Sequence, residues 1–575
     1  MTTRSLSPHE ERLMALAAKR RHLETLSEEE VLDVLLSDPQ ALPLVHSYPE
    51  EDFFLLMHRI GPDDFLPVLS MATDRQWHFI VDQECWERDV PDYAVMNLWF
   101  CRFLRAAPKR FVRFMVEEEG DLMDAWLFRN LEVRIREHDE DPSDFPDGFT
   151  TLDDVLYFRL KPMPEDEGSP EEKEAREEAL QIFIRSLADT SHPLYFRILQ
   201  EMPWSIPAEL EEASLHWRRV RLAEKGFIPA EEAGGLFQPL REGELESRGR
   251  KVFAGAGEAR VFSIPEQGLR MASMDTGFSE ALTLLDADHV LTDLYLEMAA
   301  LCNRFIGAGG KVLRSREELD AAGRAVMGYV RLGIARITGE REPSPRASTA
   351  VLRTYRLDFI FRAGAGPVMR LKWKVGGWYK KAWFRRSGLA LSFWDEEGMG
   401  LLGGLLLDMP LRFDAAASAG TYYVPFDSDG DLVRAEGQVN DILALDDVFA
   451  LLGLGEVDGM GRLLTWKNML LTLWAQDRLG DGGNRLVPVH EERFRSFFDT
   501  LREKTAAGFA IPMERKNDFL AWLSERTGLL PAVLADRTGA VLERLFLDLE
   551  EEIAGIPADS LPDHRYMRFF LLRQA

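Results

Sequence analysis

Between Val351 and Arg386 the chain carries ten basic residues and a single acidic one, Asp358. Arg370, Lys372, Lys374, Lys380, Lys381, Arg385 and Arg386 interleave there with Trp373, Trp378, Tyr379, Trp383 and Phe384. Cations neutralise phosphates and aromatic faces stack on bases, so this combination of residue types suits a single-stranded polyanion. Arg370, Lys372, Lys374, Trp378, Lys380, Lys381, Arg385 and Arg386 form the candidate polyanion-binding set. A plainer reading stands beside it. Val368, Leu371 and Val375 fall on one helical face, which makes the charges its wet side. Arg370, Lys372 and Lys374 also alternate with Leu371, Trp373 and Val375 as in a strand, and Gly376-Gly377 suits a hairpin turn. In either geometry the apolar residues are core. The charges would then be free to pair with the acidic segment 136–178, and a membrane-surface segment is a further alternative.

Other motifs fail on spacing. Asp427, Asp429 and Asp431 suggest a calcium loop, but Leu432 and Gln438 stand where an EF-hand needs Gly and Glu. A β-turn is expected there. Gly307-Ala308-Gly309-Gly310-Lys311 resembles a phosphate loop, yet Phe305 and Val312 occupy the places that need Gly and Ser or Thr. It reads as a helix C-cap and loop. Gly277-Phe278-Ser279-Glu280-Ala281 lacks the final Gly of a nucleophile elbow and reads as the N-cap of a helix from Glu280. Eleven histidines include no HExxH, and no His/Cys pair has metal-ligand spacing. No catalytic, cofactor-binding or metal-binding residue is assigned. An enzyme of unfamiliar type stays open, since active sites assemble from residues distant in sequence.

The 575 residues carry 97 acidic against 69 basic side chains, a net charge of −28. That balance argues against polyanion binding by the whole surface, though not by a local patch. Cys85, Cys101 and Cys302 form no disulfide framework. The N-terminus reads as polar rather than as a secretory signal, and the most apolar run, Met399 to Leu407, is too short to span a bilayer. A soluble, cytoplasmic protein is expected.

The elements that position these residues are helical. From Tyr48 to Val133 short apolar faces follow one another, beginning with Phe53, Leu56, Met57 and Ile60. Gly61-Pro62 is expected to close that helix and open the next, with Asp63 and Asp64 in its first turn. Thr73 with Gln76 reads as a capping box ahead of Trp77, Ile80 and Val81. Helices this short are marginal alone and gain stability by stacking as an array. Residues 136–178 hold 16 acidic and 5 basic side chains with five prolines, which marks a loop or linker, with one docked turn expected around Leu152 to Phe158. Ser169 with Glu172 and Ser315 with Glu318 cap later helices, and Lys251 to Ser273 reads as a short hairpin or loop. The fold expected is mainly α with little β. It comprises an N-terminal helical array (1–135), an acidic linker (136–175), a central helical domain (176–345) and a C-terminal, mainly helical domain holding the basic stretch (346–575).

The phrase from Gly226 to Ala233, ending in Phe237-Gln238-Pro239-Leu240, resembles a bacterial family known as domain-of-unknown-function family 6178. So do Pro49-Glu50-Glu51-Asp52 and Ile60-Gly61-Pro62-Asp63-Asp64. The resemblance covers most of the chain and implies a largely helical bacterial protein with no assigned activity or cofactor. More loosely, the N-terminal array is similar to the helical superhelix of magnesium transporters, without their membrane part. The leading expectation is a protein-interaction or scaffold protein built on helical arrays. The alternative is polyanion or nucleic-acid binding through Arg370 to Arg386.

Overall fold

The computed structural model describes residues 8–137, 140–141, 145–162, 169–227, 234–251, 266–285, 288–310, 312–417, 422–455, 464–505, 508–554, 556 and 567–574. The fold is mainly α, and the strands form only sheets of two or three. Two compact units are present. One comprises Met1–Gly234, Arg260–Met271 and Thr292–Gly323, the other Gly235–Ala259, Ala272–Leu291 and Arg324–Ala575.

In the first unit the helices Glu28–Ser37, Ala41–His46, Glu50–Ile60, Leu66–Met71, Asp74–Glu84, Tyr93–Ala106, Pro108–Glu118 and Gly120–Asn130 follow in succession. Their apolar faces meet in an aromatic core. Trp77 lies 5.2 Å from Phe103 and 5.5 Å from Phe114, and Phe103 stacks on Phe111 at 5.2 Å. Each such pair contributes about 0.5–1.5 kcal/mol beyond its area burial. Gln76 closes the capping box with Thr73 and also donates to the Val45 and Tyr48 carbonyls at 2.9 and 3.0 Å. One buried side chain thus satisfies two helix ends.

Two local expectations are corrected here. Gly61, at φ +101°, ends its helix, but residues 62–65 form a turn and the next helix starts at Leu66. Asp63 instead accepts the guanidinium fork of Arg102 at 2.8 and 3.0 Å. The docked turn near Leu156 is a strand. Leu156–Leu160 pairs antiparallel with Leu131–Ile135, and Thr150–Thr151 pairs with the same strand. Acidic composition hides it, because the burial of Leu156 and Tyr157 depends on a partner strand far upstream. Arg176, in the helix Pro170–Thr190, pins that helix to the sheet by donating to Asn130 Oδ1 and the Lys161 carbonyl, both at 2.7 Å.

The second unit is built on the helices Pro345–Thr354, Leu357–Tyr379, Asp395–Leu406, Asp429–Leu451, Trp466–Arg478, Met513–Thr527 and Pro531–Ala554. Leu357–Tyr379 is continuous, so no hairpin turns at Gly376-Gly377. Leu371, Val375 and Trp378 are buried on one helical face while Trp373 points outward, which strand alternation would not produce. At Gly364 this helix touches the backbone of Arg316–Thr338, since a Cβ there would lie 2.0 Å from the Tyr329 carbonyl oxygen. Only glycine permits that approach. For the expected hairpin at 251–273, residues 252–265 lie outside the described residues, and Glu266–Ser273 is a helix.

Candidate nucleic-acid interface

The C-terminal half of the Leu357–Tyr379 helix splits into a dry and a wet side. Arg370, Trp373, Lys374, Gly377 and Lys381 recur at spacings of three and four and are all exposed. Trp373 keeps 51% of its surface in solvent. Lys380, Arg385 and Arg386 are exposed just beyond, in the turn and the short helix Trp383–Arg386. Among the described residues, Arg370, Lys380, Lys381 and Arg386 form no ion pair. Arg385 stands over the Tyr379 ring at 4.7 Å, and Lys374 reaches Asn440 Oδ1 at 2.5 Å.

Two members of the candidate set turn away from this face. Lys372 donates to the carbonyls of Leu407 and Asp408 at 2.5 and 2.8 Å, neutralising the negative end of the Asp395–Leu406 helix. Its burial lowers the ammonium pKa. Trp378 is buried, and its indole N–H donates to Asp446 at 2.9 Å. The structure therefore leaves Arg370, Lys374, Lys380, Lys381, Arg385 and Arg386 exposed on the last turns of this helix and just beyond it, as it does Trp373.

Asp446 positions the region from below. Its carboxylate accepts the Trp378 indole N–H, the Trp383 N–H at 2.9 Å and the Phe384 N–H at 3.0 Å. One buried side chain thereby caps the short helix Trp383–Arg386 and fixes the bend that carries Lys380 and Lys381. Burial pushes its pKa up, against the pull of those donors. No local motif signals this residue, which lies on another helix far along the chain.

Gly376 and Gly377 are unusual on an exposed helix. A Cβ at either meets nothing within 4 Å, and neither has a positive φ. No packing contact or turn accounts for them, although each costs the helix about 0.8–1.0 kcal/mol relative to Ala. A helical side chain covers the turn N-terminal to its own Cα. Glycine at position 377 therefore leaves the Trp373 surface uncovered.

A second concentration of charge, which sequence reasoning did not select among so many acidic residues, is buried in the first unit. Asp82 accepts a fork from Arg221 at 2.6 and 2.9 Å, and the same guanidinium lies 2.8 Å from Glu119. His78 Nε2 stands 3.3 Å from Glu119. Burial drives His78 down to about 4 and Glu119 up to about 8. Glu84 is held at about 2, its burial outweighed by hydrogen bonds from His58 and Arg314 at 2.9 Å. Both oxygens of Asp82 and of Glu84 are engaged by donors. The network ties helices together and presents no unengaged carboxylate from these two acids.

The remaining sequence candidates resolve into helix ends. Ser428, not a β-turn, precedes Asp429 and Asp431. It accepts from the Asp431 N–H at 3.1 Å and caps Asp429–Leu451, where acids suit the first turn. The helix Asp288–Gly309 ends at Gly310, with φ +60°, and Lys311 lies outside the described residues. The cap near Gly277 is Asp275, which accepts the Phe278 N–H at 2.8 Å, so the helix begins at Thr276 rather than Glu280. Among the described residues no three His, Cys, Asp or Glu side chains are grouped to hold a metal ion. No helix among them is long and apolar enough to cross a membrane.

The model of the family of unknown function DUF6178 matches residues 8–573. No curated protein and no solved structure matches the chain, so the likeness to magnesium transporters is not confirmed.

Proposed function

The chain belongs to that family, which brings no activity with it, and from its exposed basic face we propose that the protein binds single-stranded nucleic acid. The observation that carries this reading is the half-exposed Trp373, bared by Gly377 and flanked by Arg370, Lys374, Lys380 and Lys381. Stacking on an exposed aromatic contributes about 1–3 kcal/mol per base, and cations follow the backbone. The strongly acidic remainder confines binding to this patch and makes it salt-sensitive.

Six exposed cations give a log affinity against log salt slope of roughly −4, from about −0.7 per phosphate on single strands. Reversing Lys380, Lys381, Arg385 and Arg386 to Glu sets four carboxylates beside the two remaining cations and should abolish binding with the fold intact. Fluorescence anisotropy with a labelled single-stranded oligonucleotide across a salt series, beside circular dichroism, reads both. Wild-type protein with no salt-dependent binding would sink the proposal.

A second reading, protein interaction, is supported by the helix Pro207–Glu224. Arg218 and Arg221 face inward to Asp82, whereas Trp217 on the same helix is 56% exposed and Trp204 just before it is 83% exposed. Exposed apolar groups of that size commonly mark contact surfaces. A stoichiometric protein partner retained on gentle purification is the signature of this reading.

A further inference from the structure

A cavity of about 540 Å³ lies in the first unit, within the roughly 300–1,000 Å³ of sites that hold small molecules. Interiors are packed so closely that voids larger than a water molecule are few. The chain builds this one at a helix end. The helix Pro207–Glu224 stops in a left-handed turn at Gly226, φ +83°. There the Gly226 N–H donates to the Ala223 carbonyl and the Phe227 N–H to that of Leu222, both at 2.9 Å. Gly226 sits against Ala300 of the helix Asp288–Gly309, since a Cβ on it would lie 3.2 Å from the Ala300 Cα. Asn303, on that helix, pins the turn by donating to the Lys225 carbonyl at 2.7 Å. The turn brings Phe227 within 6.2 Å of Phe79, which itself lies 5.6 Å from Phe54.

These three phenyl rings line the cavity together with Leu296, Ile306 and Leu313. Phe227 and the three aliphatic residues are only half-buried, so their apolar surface is open to an occupant. Apolar cavities of about 150 Å³ already take up a benzene-sized molecule, and an aromatic ring meets phenyl rings well in offset or edge-on contact. The polar residues set the charge of the occupant. Lys225 is the single cation among the lining residues, and Glu50 at 2.7 Å and Glu51 at 3.3 Å already hold it. An anion therefore finds no free partner. Glu224 differs, for it is exposed and forms no ion pair among the described residues. It is also the last residue of its helix, where the dipole favours a cation. With Glu51 and Asp52, the lining carries three carboxylates to one ammonium. Gln83 adds an amide that has no hydrogen bond among the described residues.

We propose that this cavity binds a small aromatic amine, its ring among Phe54, Phe79 and Phe227 and its ammonium beside Glu224. The inference does not rest on the nucleic-acid reading, because the cavity lies in the first unit and the basic face in the second. The test is isothermal titration calorimetry of the full-length protein with tryptamine and with indole-3-propionate, each up to about 10 mM. The two probes share a ring and carry opposite charges. Saturable tryptamine binding is expected, about 5-fold or more tighter than that of the acid. Glu224→Gln, at an exposed position, should weaken tryptamine about 3-fold with the fold intact. Leu296→Trp should fill the cavity and abolish binding, with the helical circular dichroism signal retained. No saturable tryptamine binding overturns the proposal. So does equal or tighter binding of indole-3-propionate, or a tryptamine affinity unchanged in either variant.

Discussion

Alanine at both Gly376 and Gly377 separates the helix from the hairpin that the same residues also permit, because the two geometries predict opposite signs. In the Leu357–Tyr379 helix both glycines have ordinary helical backbone, and an added Cβ at either meets nothing within 4 Å. Nothing opposes the gain in helix propensity, about 0.8–1.0 kcal/mol per site, so the double substitution should stabilise by about 2 kcal/mol. The second unit holds roughly 300 residues, for which that stabilisation raises its melting temperature by about 3 °C. In a hairpin turn the glycines would occupy positive φ, and alanine would destabilise instead. Differential scanning calorimetry of wild type and double variant decides the matter. An unchanged or lowered transition would refute the argument that these glycines are unpacked helix residues. The glycines would then have a structural reason, and the bared Trp373 surface would no longer be a departure that needs function to explain it.

Gly364→Ala is expected to act in the opposite direction, because its Cβ would meet the Tyr329 backbone oxygen at 2.0 Å, where no side chain can swing aside. A loss of about 3 kcal/mol in urea unfolding is expected, and a neutral result would contradict the helix crossing. His78 should titrate near 4 by NMR of its ring protons, with burial as the main cause and the Arg221 charge as the second. Since the folded value lies below the ordinary 6.5, its contribution is fully present above 6.5 and lost as pH falls toward 4. That contribution is on the order of 3 kcal/mol. A midpoint near 6.5 would place the ring in solvent.

Much of the architecture is local and was readable residue by residue. The capping boxes at Thr73 and Gln76, Ser169 and Glu172, and Ser315 and Glu318 all form, because each joins groups three residues apart. The buried face of Phe53, Leu56 and Met57 appears as its spacing requires. The strand Leu156–Leu160 was not legible, since it exists by pairing with Leu131–Ile135 and Thr150–Thr151.

The concentration of positive charge and aromatic residues between Val351 and Arg386 is a property of the sequence alone, as are the acidity of the remainder and the helical period of the array. Which cations reach solvent is not. Lys372 and Trp378 have the same local credentials as Lys374 and Trp373, yet the first pair turn to a helix end and to Asp446, and the second pair face outward. Spacing defines a helical face, but burial against the Asp395–Leu406 and Asp429–Leu451 helices selects which face is hidden. That selection depends on contacts tens of residues away, which no local pattern encodes.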